Sequence, residues 1–580
     1  MIFYDIEVFK YDWLIVCIDS DDWQTHVFTN DRDELNRFYE KNVDNVWVGY
    51  NNVRYDQYIF KAILLDMNVK RVNDWIISGN SGYKYSTMFN KITMHNYDTM
   101  TSYHSLKTLE GFMGEDIEET QVDFNLDRKL TKDELALTQK YCVHDVEQTI
   151  KVFFERIEEF ESHLGLINMF KIPLKYISKS KAQLSAMILN AYKPNKERED
   201  EFDITIVDTL RLDKYKSVQN WFTTNKLDYK MKLTKEIAGV EHVFGFGGIH
   251  GAIPGYVSTG RHLMVDVGSY YPALMIEYQL LSRNVSDAKQ FREIRDTRID
   301  YKKVGDKRQA PLKIVLNSTY GASKYKYSQL YDPLQANNVC INGQLLLLDL
   351  IEKIEPYCTL VQSNTDGLLV RVETESEEKR VRELCKEWEN RTRMTLDYDV
   401  YNAVYQGDVN NYLMVREDGK IKSKGMYFKQ RNNLDNNLAI VQEAIQEYLL
   451  NGTPVEDTIN NCNELLKFQS ICHMGGKYSY CMTGNWVGKG KHREFVGTKL
   501  DDKTFRVYAT LANKGTLFKV KTGGNPEKFG GISENVEIDN ANKLDENFLN
   551  KMLDKNWYIE YTKDTLRDKG LYEHPNLLRK

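Results

Sequence analysis

The strongest constraint on the fold is the alternation of short apolar strands with helices over about the first 160 residues. The segments MIFYDIEVF and WLIVCI are apolar runs around a short turn, which indicates two strands. A further strand-like run, VWVGYNN, precedes the helix-like stretch DQYIFKAILLDM. Strands that alternate with helices in this way predict a mixed α/β domain.

A long amphipathic helical region, residues 130–164, closes this first domain. Thr131 followed by Glu134 forms a capping-box pattern, which predicts where the helix begins. The whole chain has 580 residues, enough for about three to five domains with large cores of their own. Further domains are therefore expected after this region.

Charge is distributed unevenly along the chain. The formal net charge of −6 argues at first against nucleic acid, whose protein ligands are usually basic. Residues 1–170 sum to −13 and residues 171–580 to +7, with local maxima of +6 at 301–330 and at 471–520. The second part of the chain therefore has the basic segments that a polyanionic partner requires.

Several classes of protein are disfavoured by what the sequence does not contain. The eight cysteines form no CxxC pair, which argues against a zinc ribbon or a disulfide framework and fits a reducing cytosol. The first residues include neither a basic region nor a long apolar stretch, so we expect no signal peptide. We expect no membrane span, because no run of about eighteen apolar residues occurs.

The second half of the chain contains recognisable elements of several kinds. Residues 245–255 (GFGGIHGAIPG) predict a loop, and HLMVDVGSYYPALMI predicts a strand leading into a turn. Two helices are predicted around the short turn at residues 304–306, and CTLVQSNTDGLLVRV predicts a β-hairpin. The tail from about residue 430 predicts helices mixed with Gly- and Lys-rich loops.

The N-terminal strand has two carboxylates on one face. Asp5 and Glu7 alternate along the strand and would repel each other unless a cation lay between them. Hard divalent ions such as Mg²⁺ prefer such oxygen ligands. With Asp56 and Asp145, four acids from three elements could hold two metals at a phosphate. Taken singly, D-x-E is common at exposed strand edges and Asp145 fits a solvated helix face.

The order and spacing of these acids resemble the 3′→5′ proofreading exonuclease domain of DNA polymerases, of the DEDD type with a tyrosine. Its segments D-x-E, N-x-x-(F/Y)-D and Y-x-x-x-D are all present without gaps. The metal ligands that this resemblance implies are Asp5, Glu7, Asp56 and Asp145. It also implies that Tyr141 orients the attacking water and that Asn52 and Tyr55 touch the frayed primer end. Ser105 and Leu106 match a segment that holds single-stranded DNA.

Three segments of the second half combine acids with phosphate-binding residue types. Asp266 ends an apolar strand, and Asp366 lies in the hairpin turn, free to meet Asp266 across a sheet. Lys313, Asn317 and Tyr320 share one face of a predicted helix and suit a phosphate, a polar edge and a base. Taken singly, the Asp266 segment also fits an ordinary turn, the Lys313 helix a surface helix, and the Asp366 segment a good hairpin turn.

Jointly, the three segments resemble motifs A, B and C of family B DNA polymerases: D-x-x-S-L-Y-P, K-x-x-x-N-S-x-Y-G and D-T-D. The resemblance covers the chain from residue 1 to about 430. It implies that Asp266 and Asp366 hold two Mg²⁺ ions, with Mn²⁺ as an alternative. The implied nucleotide-binding residues are Lys313 at the triphosphate, Asn317 assisting it, Tyr320 near the nascent base pair, Tyr271 excluding a 2′-hydroxyl, and Arg295 on the partner helix.

Some positions depart from the family pattern or match it loosely. In motif C, Asn364 replaces the first aspartate and Gly367 the final serine, which bears on metal affinity and metal preference. Phe246 matches an aromatic-x-G-G segment that guides the primer strand, and Lys424 and Tyr427 match a K-x-Y motif that contacts primer–template DNA. The alternative for that last segment is a basic hairpin edge. The Lys- and aromatic-rich residues 471–520 suit contacts with DNA phosphates, as in a thumb.

The predicted architecture is an RNase H-like exonuclease domain followed by a right-hand polymerase, α/β and α+β in class. The predicted domains are an exonuclease at 1–165, a connecting region at 166–255, a palm at 256–285 and 325–430, fingers at 286–324, and a thumb with the C-terminal region at 431–580. The implied partners are primer–template DNA, single-stranded DNA and dNTPs, with no membrane; any processivity factor is left open.

The spacing of the motifs bears on the kind of polymerase. Asp266 and Lys313 are 47 residues apart, and Asn317 and Asp366 are 49 apart, which leaves no room for the insertions of protein-primed enzymes. We therefore expect a compact phage or mobile-element replicative polymerase, acting in the cytoplasm of a bacterial host. Protein priming, and a DNA-binding exonuclease with an inactive polymerase core, are the alternatives.

Overall fold

The chain divides into two compact units in a computed structural model that describes residues 1–100, 104–196, 198–429, 432–488 and 494–572. The first unit comprises Met1–Ser178, Arg431–Ile440 and Cys462–Tyr558. The second comprises Lys179–Gln430, Val441–Asn461 and Ile559–Lys580. Both combine helices with sheets, so the predicted mixed α/β and α+β, multidomain fold class is confirmed.

The first unit is built on a five-stranded sheet in the order β3-β2-β1-β4-β5. Its strands are β1 Ile2–Val8, β2 Trp13–Asp19, β3 Thr25–Thr29, β4 Val46–Gly49 and β5 His95–Asp98. β1 pairs antiparallel with β2 and parallel with β4. This order places β1 in the middle of the sheet.

In the described part of residues 1–178, six α-helices lie between or after these strands. They are α1 Arg32–Lys41, α2 Asp56–Leu64, α3 Val69–Ile77, α4 Leu106–Met113, α5 Lys132–Glu155 and α6 Ile157–Met169. The capping box of Thr131 and Glu134 begins α5 as predicted. The helical region predicted as continuous is two helices, which meet at Arg156.

Residues 179–429 form the larger part of the second unit, around a nine-stranded sheet in the order β14-β13-β12-β9-β11-β10-β8-β7-β6. Its strands are β6 Leu233–Ile237, β7 Val240–Phe244, β8 His250–Ala252, β9 Tyr256–Val267, β10 Thr359–Asn364, β11 Gly367–Val372, β12 Leu396–Asp408, β13 Asn411–Arg416 and β14 Ile421–Lys424. Its helices are α7 Lys181–Ile188, α8 Lys216–Thr224, α9 Tyr270–Glu277, α10 Ala288–Lys303, α11 Gln309–Lys324, α12 Pro333–Ile354 and α13 Glu375–Thr392.

The predicted hairpin is β10 and β11, and the predicted helix pair is α10 and α11. Two expectations for this region are corrected. The loop predicted at 245–255 includes the strand β8, which pairs with β7 and β10. The turn predicted after β9 leads at once into α9, because Ser269 adopts a left-handed conformation (φ 51°) that lets the helix begin at Tyr270.

The C-terminal part is richer in strands than predicted. Its helices are α14 Ala439–Asn451, α15 Val455–Asn461, α16 Glu546–Lys551 and α17 Lys555–Asp568. Its strands are β15 Ser470–His473, β16 Tyr480–Val487, β17 Glu494–Leu500, β18 Thr504–Ala509, β19 Thr516–Val520, β20 Glu527–Lys528 and β21 Val536–Ile538. They form the sheets β15-β18-β21 and β17-β16-β19-β20. Their short length and frequent Gly and Lys hide the alternation that predicts a strand.

The segment predicted as a thumb is divided between the two units, with Cys462–Tyr558 in the first. The domain boundaries, the thumb included, stay a prediction. The basic residues 489–493, which belong to the predicted phosphate-contacting stretch, lie outside the described residues. Among the helices described, none combines the length and apolarity that crossing a membrane requires.

Candidate active sites

The four carboxylates of the N-terminal motifs lie around the central strand of the first sheet. Asp5 and Glu7 are on β1, Asp56 is the first residue of α2, and Asp145 is on α5. Glu7, Asp56 and Asp145 are each less than a tenth exposed. The ligand atoms of Asp5, Glu7 and Cys142 lie within 4.8 Å of one another, so this group has the spacing of a metal site.

The electrostatics of this cluster are those of acids crowded together away from water. Burial raises the pKa of Glu7 well above its usual range, and the negative charges of Asp5, Asp145 and Asp56 add to that effect. The pKa of Asp56 is raised by burial and by Asp5. Burial likewise raises the pKa of Asp145, to about 7. Burial and mutual repulsion destabilise the charged form of such a cluster, and a bound cation would stabilise it.

One lysine enters the cluster from α4. The Lys107 ammonium lies 2.5 Å from Asp145 Oδ1 and 3.1 Å from Glu110 Oε1. It also lies 4.6 Å from the centroid of the Tyr141 ring, within the range of a cation–π contact. Glu110 is fully buried, and its second oxygen is 3.7 Å from His144 Nε2. Lys107 therefore joins the predicted tyrosine and the predicted aspartate of the third motif.

The predicted primer contacts have partners within the first unit. Asn52 is fully buried, and its amide donates to Tyr97 O at 3.3 Å and to Asn96 Oδ1 at 3.4 Å. The Tyr55 hydroxyl donates to Asn73 Oδ1 at 2.6 Å. That Asn52 and Tyr55 touch a primer end stays a prediction.

The predicted single-strand contacts are at the start of α4. Ser105 caps this helix by accepting from Thr108 N at 3.2 Å, and Leu106 is its first residue. Ser105 Oγ is also 3.4 Å from His473 Nδ1. The same short helix thus carries the predicted DNA segment and Lys107.

The second site is formed where β9, β10 and β11 meet in the second unit. β11 pairs with β9 so that Gly367 lies opposite Asp266, and Asp366 directly precedes Gly367 in the turn. The backbone N–H of Val267 donates to the Asp366 carbonyl at 2.7 Å, which fixes that turn against the end of β9. The two predicted catalytic aspartates are therefore brought together by strand register.

A polar cleft of about 270 Å³ opens at this point. Its lining includes Asp266, Asn364, Asp366, Tyr412 and Lys422. Burial raises the pKa of Asp266, and the Asp366 carboxylate raises it further, while Lys422 opposes the shift. The Lys422 ammonium is 3.7 Å from Asp266 Oδ2. The cleft thus holds two crowded carboxylates with one cation close by.

The geometry explains why glycine follows Asp366. A Cβ at position 367 would lie 1.9 Å from Asp266 Oδ1 and 3.2 Å from the Val265 carbonyl oxygen. A serine there is therefore incompatible with the present Asp266 rotamer. The other departure, Asn364, lies opposite His250 in the β10–β8 pairing.

We predict that Gly367→Ser, which introduces the residue usual in the family, lowers activity at this site instead of raising it. The Asp266 carboxylate would have to turn away, and a misplaced ligand costs about tenfold in rate or more. Steady-state primer extension measures this effect. Gly530→Ser is the control, because Gly530 is exposed, its backbone is not left-handed and no atom lies within 4 Å of its Cβ position. Unchanged extension by Gly367→Ser would show that Asp266 is not held in this rotamer during catalysis.

The predicted nucleotide-binding residues of motif B share one helix. Lys313 and Asn317 are exposed on α11, one turn apart, and Tyr320 follows on the same face. The Tyr320 ring packs against Tyr271, with centroids 4.4 Å apart. The structure therefore brings Tyr271 of motif A and Tyr320 of motif B together in one aromatic pair.

The arginines of α10 bond to different groups, and a nucleotide contact of Arg295 stays a prediction. Arg295 donates to Glu277 Oε1 at 3.2 Å and to Asp296 Oδ1 at 2.8 Å, and Arg292 shares Glu277 at 2.9 Å. Arg298, one turn further, donates to Ser269 Oγ in the motif A turn at 2.8 Å. Of the three arginines, Arg298 is thus the one bonded to motif A. It lies three residues after Arg295, and this helical spacing could have identified it from the sequence.

Three further residues predicted to contact DNA, Phe246, Lys424 and Tyr427, lie in the second unit. Phe246 packs against Phe202 and Tyr229, and its carbonyl accepts from Lys324 at 3.1 Å. Burial raises the pKa of the Asp366 carboxyl, and the charge of Lys424 on β14 opposes that shift. The hydroxyl groups of Tyr427 and Tyr561 are 2.7 Å apart. Contacts of Phe246, Lys424 and Tyr427 with DNA stay predictions.

Comparison with known proteins gives relatives of one kind. No protein-family model matches the chain. DNA polymerase 1 of Saccharolobus solfataricus is 30% identical over 129 residues, covering 21% of this chain and 14% of the relative. DNA polymerase 1 of Sulfolobus acidocaldarius is 28% identical over 229 residues, covering 38% and 24%. A solved family B DNA polymerase from Pyrobaculum calidifontis aligns with a TM-score of 0.44 at 15% identity, over 99% of this chain and 78% of that structure.

In the aligned stretches the chain resembles the relatives named DNA polymerase 1. The resemblance predicted from the motifs is thereby confirmed, whereas the compact, phage-type subtype stays a prediction. The aligned stretches span no more than 24% of the two curated relatives described above.

Several residues of these polymerase-like sites escaped the sequence reasoning. Lys107 follows directly on the predicted Ser105–Leu106 segment, and Lys422 begins the K-x-Y match, so both had a sequence signal. Asp397 had none: it lies opposite Asp266 because β12 pairs with β9, and it raises the pKa of Asp266 slightly. Glu110 became visible only through its burial beside Lys107.

Proposed function

We propose that this chain is a template-directed DNA polymerase with a 3′→5′ proofreading exonuclease. The observation that carries the proposal is the pairing of β9 with β11, which sets Asp266 beside Asp366 in a polar cleft. The motif B residues on α11 and the four buried carboxylates of the first unit support the two halves of the activity.

The acidic groups at both sites fit divalent metal ions. At the polymerase site Asp266 and Asp366 offer hard oxygen ligands in a partly buried setting that disfavours their uncompensated charge. We propose that they hold Mg²⁺, with Mn²⁺ as an alternative, and that Asp5, Glu7, Asp56 and Asp145 do so at the exonuclease site. Bound metal would supply positive charge at the reacting phosphate.

The protein's own side chains do the positioning during polymerisation. Lys313, exposed on α11, is suited to neutralise the triphosphate of the incoming nucleotide. The Tyr271–Tyr320 pair offers an aromatic surface for the sugar and base. The primer 3′-hydroxyl then attacks the α-phosphate in line and pyrophosphate leaves. Orientation of this kind provides much of the rate enhancement.

During excision, the groups around Asp145 hold the reactants. Tyr141 is suited to orient the water that attacks the terminal phosphodiester, and Lys107 holds Tyr141 and Asp145 in a fixed relation. The Lys107 charge also offsets part of the negative charge of the cluster, since it lowers the pKa of Asp145 against the effect of burial.

Extension of a primed long template, with and without dNTPs, tests both activities in one experiment. We expect full-length product when dNTPs and Mg²⁺ are present and shortening of the primer when dNTPs are omitted. If the primer is not extended with any divalent metal, a DNA-binding exonuclease with an inactive polymerase core would explain the chain better. Shortening that continues unchanged when dNTPs are added would point the same way.

Tyr271 gives a prediction about sugar selection. We expect Tyr271→Val to raise the ratio of ribonucleotide to deoxyribonucleotide incorporation by about 10- to 100-fold, since the smaller side chain leaves room for a 2′-hydroxyl. Single-nucleotide incorporation kinetics measure the ratio. Tyr271→Phe is the matched control, because it keeps the ring beside Tyr320. An unaltered ratio in Tyr271→Val would contradict the assigned role.

The setting of the enzyme is also a proposal. The short intervals between the motifs favour a phage or mobile-element replicative enzyme that extends an ordinary 3′-hydroxyl, with protein priming as the alternative. Primer–template DNA, single-stranded DNA and dNTPs are the proposed ligands. For a phage-encoded enzyme, the site of action would be the cytoplasm of the host bacterium.

A further inference from the structure

Helix α4 determines where a charged part of the excision site lies. It carries Lys107, whose ammonium reaches Asp145 and the Tyr141 ring, and Glu110, which binds that ammonium at 3.1 Å. Because Lys107 and Glu110 are on the same turn of a helix of eight residues, they move with α4 as one body. Any group that fixes α4 therefore fixes Lys107 relative to Asp145.

The C-terminal end of α4 is bonded by side chains that come from Cys462–Tyr558, more than 350 residues further along the chain and within the same unit. Gln469 Nε2 donates to Gly111 O at 3.0 Å, and Asn542 Nδ2 donates to Gly114 O at 3.0 Å. Arg506 Nη2 donates to Glu115 O at 2.6 Å. Gly111 O also accepts from the Gly114 N–H at 3.1 Å, and Gly114 and Glu115 directly follow the last residue of α4. These side-chain bonds therefore act as caps on the C-terminal end of the helix.

Arg506 is at the centre of this arrangement. Its side chain is fully buried, Nε donates to Gln469 Oε1 at 2.8 Å, and Nη1 donates to Asn542 Oδ1 at 2.6 Å. Arg506 thus bonds to both of the other capping side chains, Gln469 and Asn542, as well as to the Glu115 carbonyl. A cation at a helix C-terminus is also favoured by the helix dipole. The backbone of α4 also packs closely against this segment, since a Cβ on Gly111 would lie 2.7 Å from Ile471 Cδ1.

We propose that Arg506 is a positioning residue for 3′→5′ excision: it fixes the C-terminal end of α4 and, through α4, holds Lys107 beside Asp145. The inference rests on the proposed exonuclease function. It makes a residue of the predicted thumb segment part of the support of the proofreading site, a role that neither the motifs nor the relatives assign.

The test is a double-mutant cycle on the full chain, read as the single-turnover rate of excision of a single-stranded oligonucleotide at saturating enzyme. We expect Arg506→Met to lower this rate by about 10- to 100-fold, the size of effect that a small misplacement of a reacting group produces. The enzyme concentration at half saturation and the rate of primer extension should stay within about twofold. Arg506→Lys, which keeps a buried cation, should recover part of the rate.

Lys107→Met separates positioning from general stability. In the Lys107→Met background, adding Arg506→Met should lower the excision rate by less than about twofold, because Lys107, through which Arg506 acts, is already absent. A purely structural role would give the same loss in both backgrounds. Equal losses, or full excision activity in Arg506→Met alone, would overturn the proposal.

Two further variants keep the test decisive. Arg391→Met removes a partly buried arginine of the second unit that is bound to Asp349, and it should leave excision unchanged. If Arg506→Met does not fold, Asn542→Ala removes one cap of α4 and should slow excision in the same direction, with its effect again lost beside Lys107→Met. If wild type extends primers but excises nothing, the excision function itself is wrong and the inference falls with it.

Discussion

Asp366→Asn is expected to lower primer extension by about 10³-fold or more while excision of a single strand continues at the wild-type rate. The asparagine keeps the shape of the side chain but removes the charge. Electrostatic stabilisation of a phosphoryl-transfer transition state at such a ligand is worth several kcal/mol, and each ~1.4 kcal/mol is a factor of ten in rate. Primer extension under single-turnover conditions measures the loss.

The reason for the large effect is that the charge at this site is already minimal. Motif C has Asn364 where the family has its first aspartate, so Asp266 and Asp366 are the acids that the motifs place here. Asp397, opposite Asp266, is exposed and pairs at 3.8 Å with Lys302. Removing Asp366 leaves Asp266 facing Lys422, an arrangement with little attraction for a second cation.

Asp418→Asn is the matched control, since Asp418 lies after β13 in the same sheet and pairs with Arg416 and Lys420. It should extend primers normally. Extension by Asp366→Asn at a rate close to that of Asp418→Asn would exclude the assigned role of Asp366. Loss of both activities in Asp366→Asn would instead indicate misfolding, which a thermal melt of the same preparation detects.

Local features of the fold were readable from the sequence, because their causes are local. The strands β1 and β2, the β10–β11 hairpin and the capping box of α5 all follow from alternation, a two-residue turn or a Thr–Glu spacing. Motif order likewise placed most of the acids that the structure brings together.

What the sequence did not reveal depends on contacts between distant segments. Asp397 faces Asp266 only because β12 pairs with β9, which joins residues about 130 positions apart. Arg506 reaches Glu115 across 391 positions, and no local pattern marks either residue. The short strands after residue 469 were missed for a related reason: their pairing partners, more than their own alternation, make them strands.

Asp5→Ala combined with Glu7→Ala is expected to lower excision by about 10³-fold or more and to leave primer extension unchanged. Both carboxylates belong to the cluster in which burial and mutual repulsion raise the pKa of Glu7. Lys107 opposes these shifts only in part, so a bound cation would compensate the remaining charge. Their removal therefore takes away ligands and, among side-chain contacts, the weak hydrogen bond from Cys142 Sγ to Asp5 Oδ2 at 3.6 Å. Degradation of a labelled single strand in the absence of dNTPs measures the loss.

The same argument predicts the effect on stability. Since the wild-type cluster is strained by its own charge, the double variant should be at least as stable as wild type when both are metal-free at neutral pH. Asp33→Ala with Glu34→Ala, an exposed pair in the first turn of α1, makes the same change in net charge and should excise normally. Wild-type excision by the Asp5/Glu7 variant would remove the metal site from the mechanism. A marked loss of stability would show instead that these carboxylates hold the sheet together.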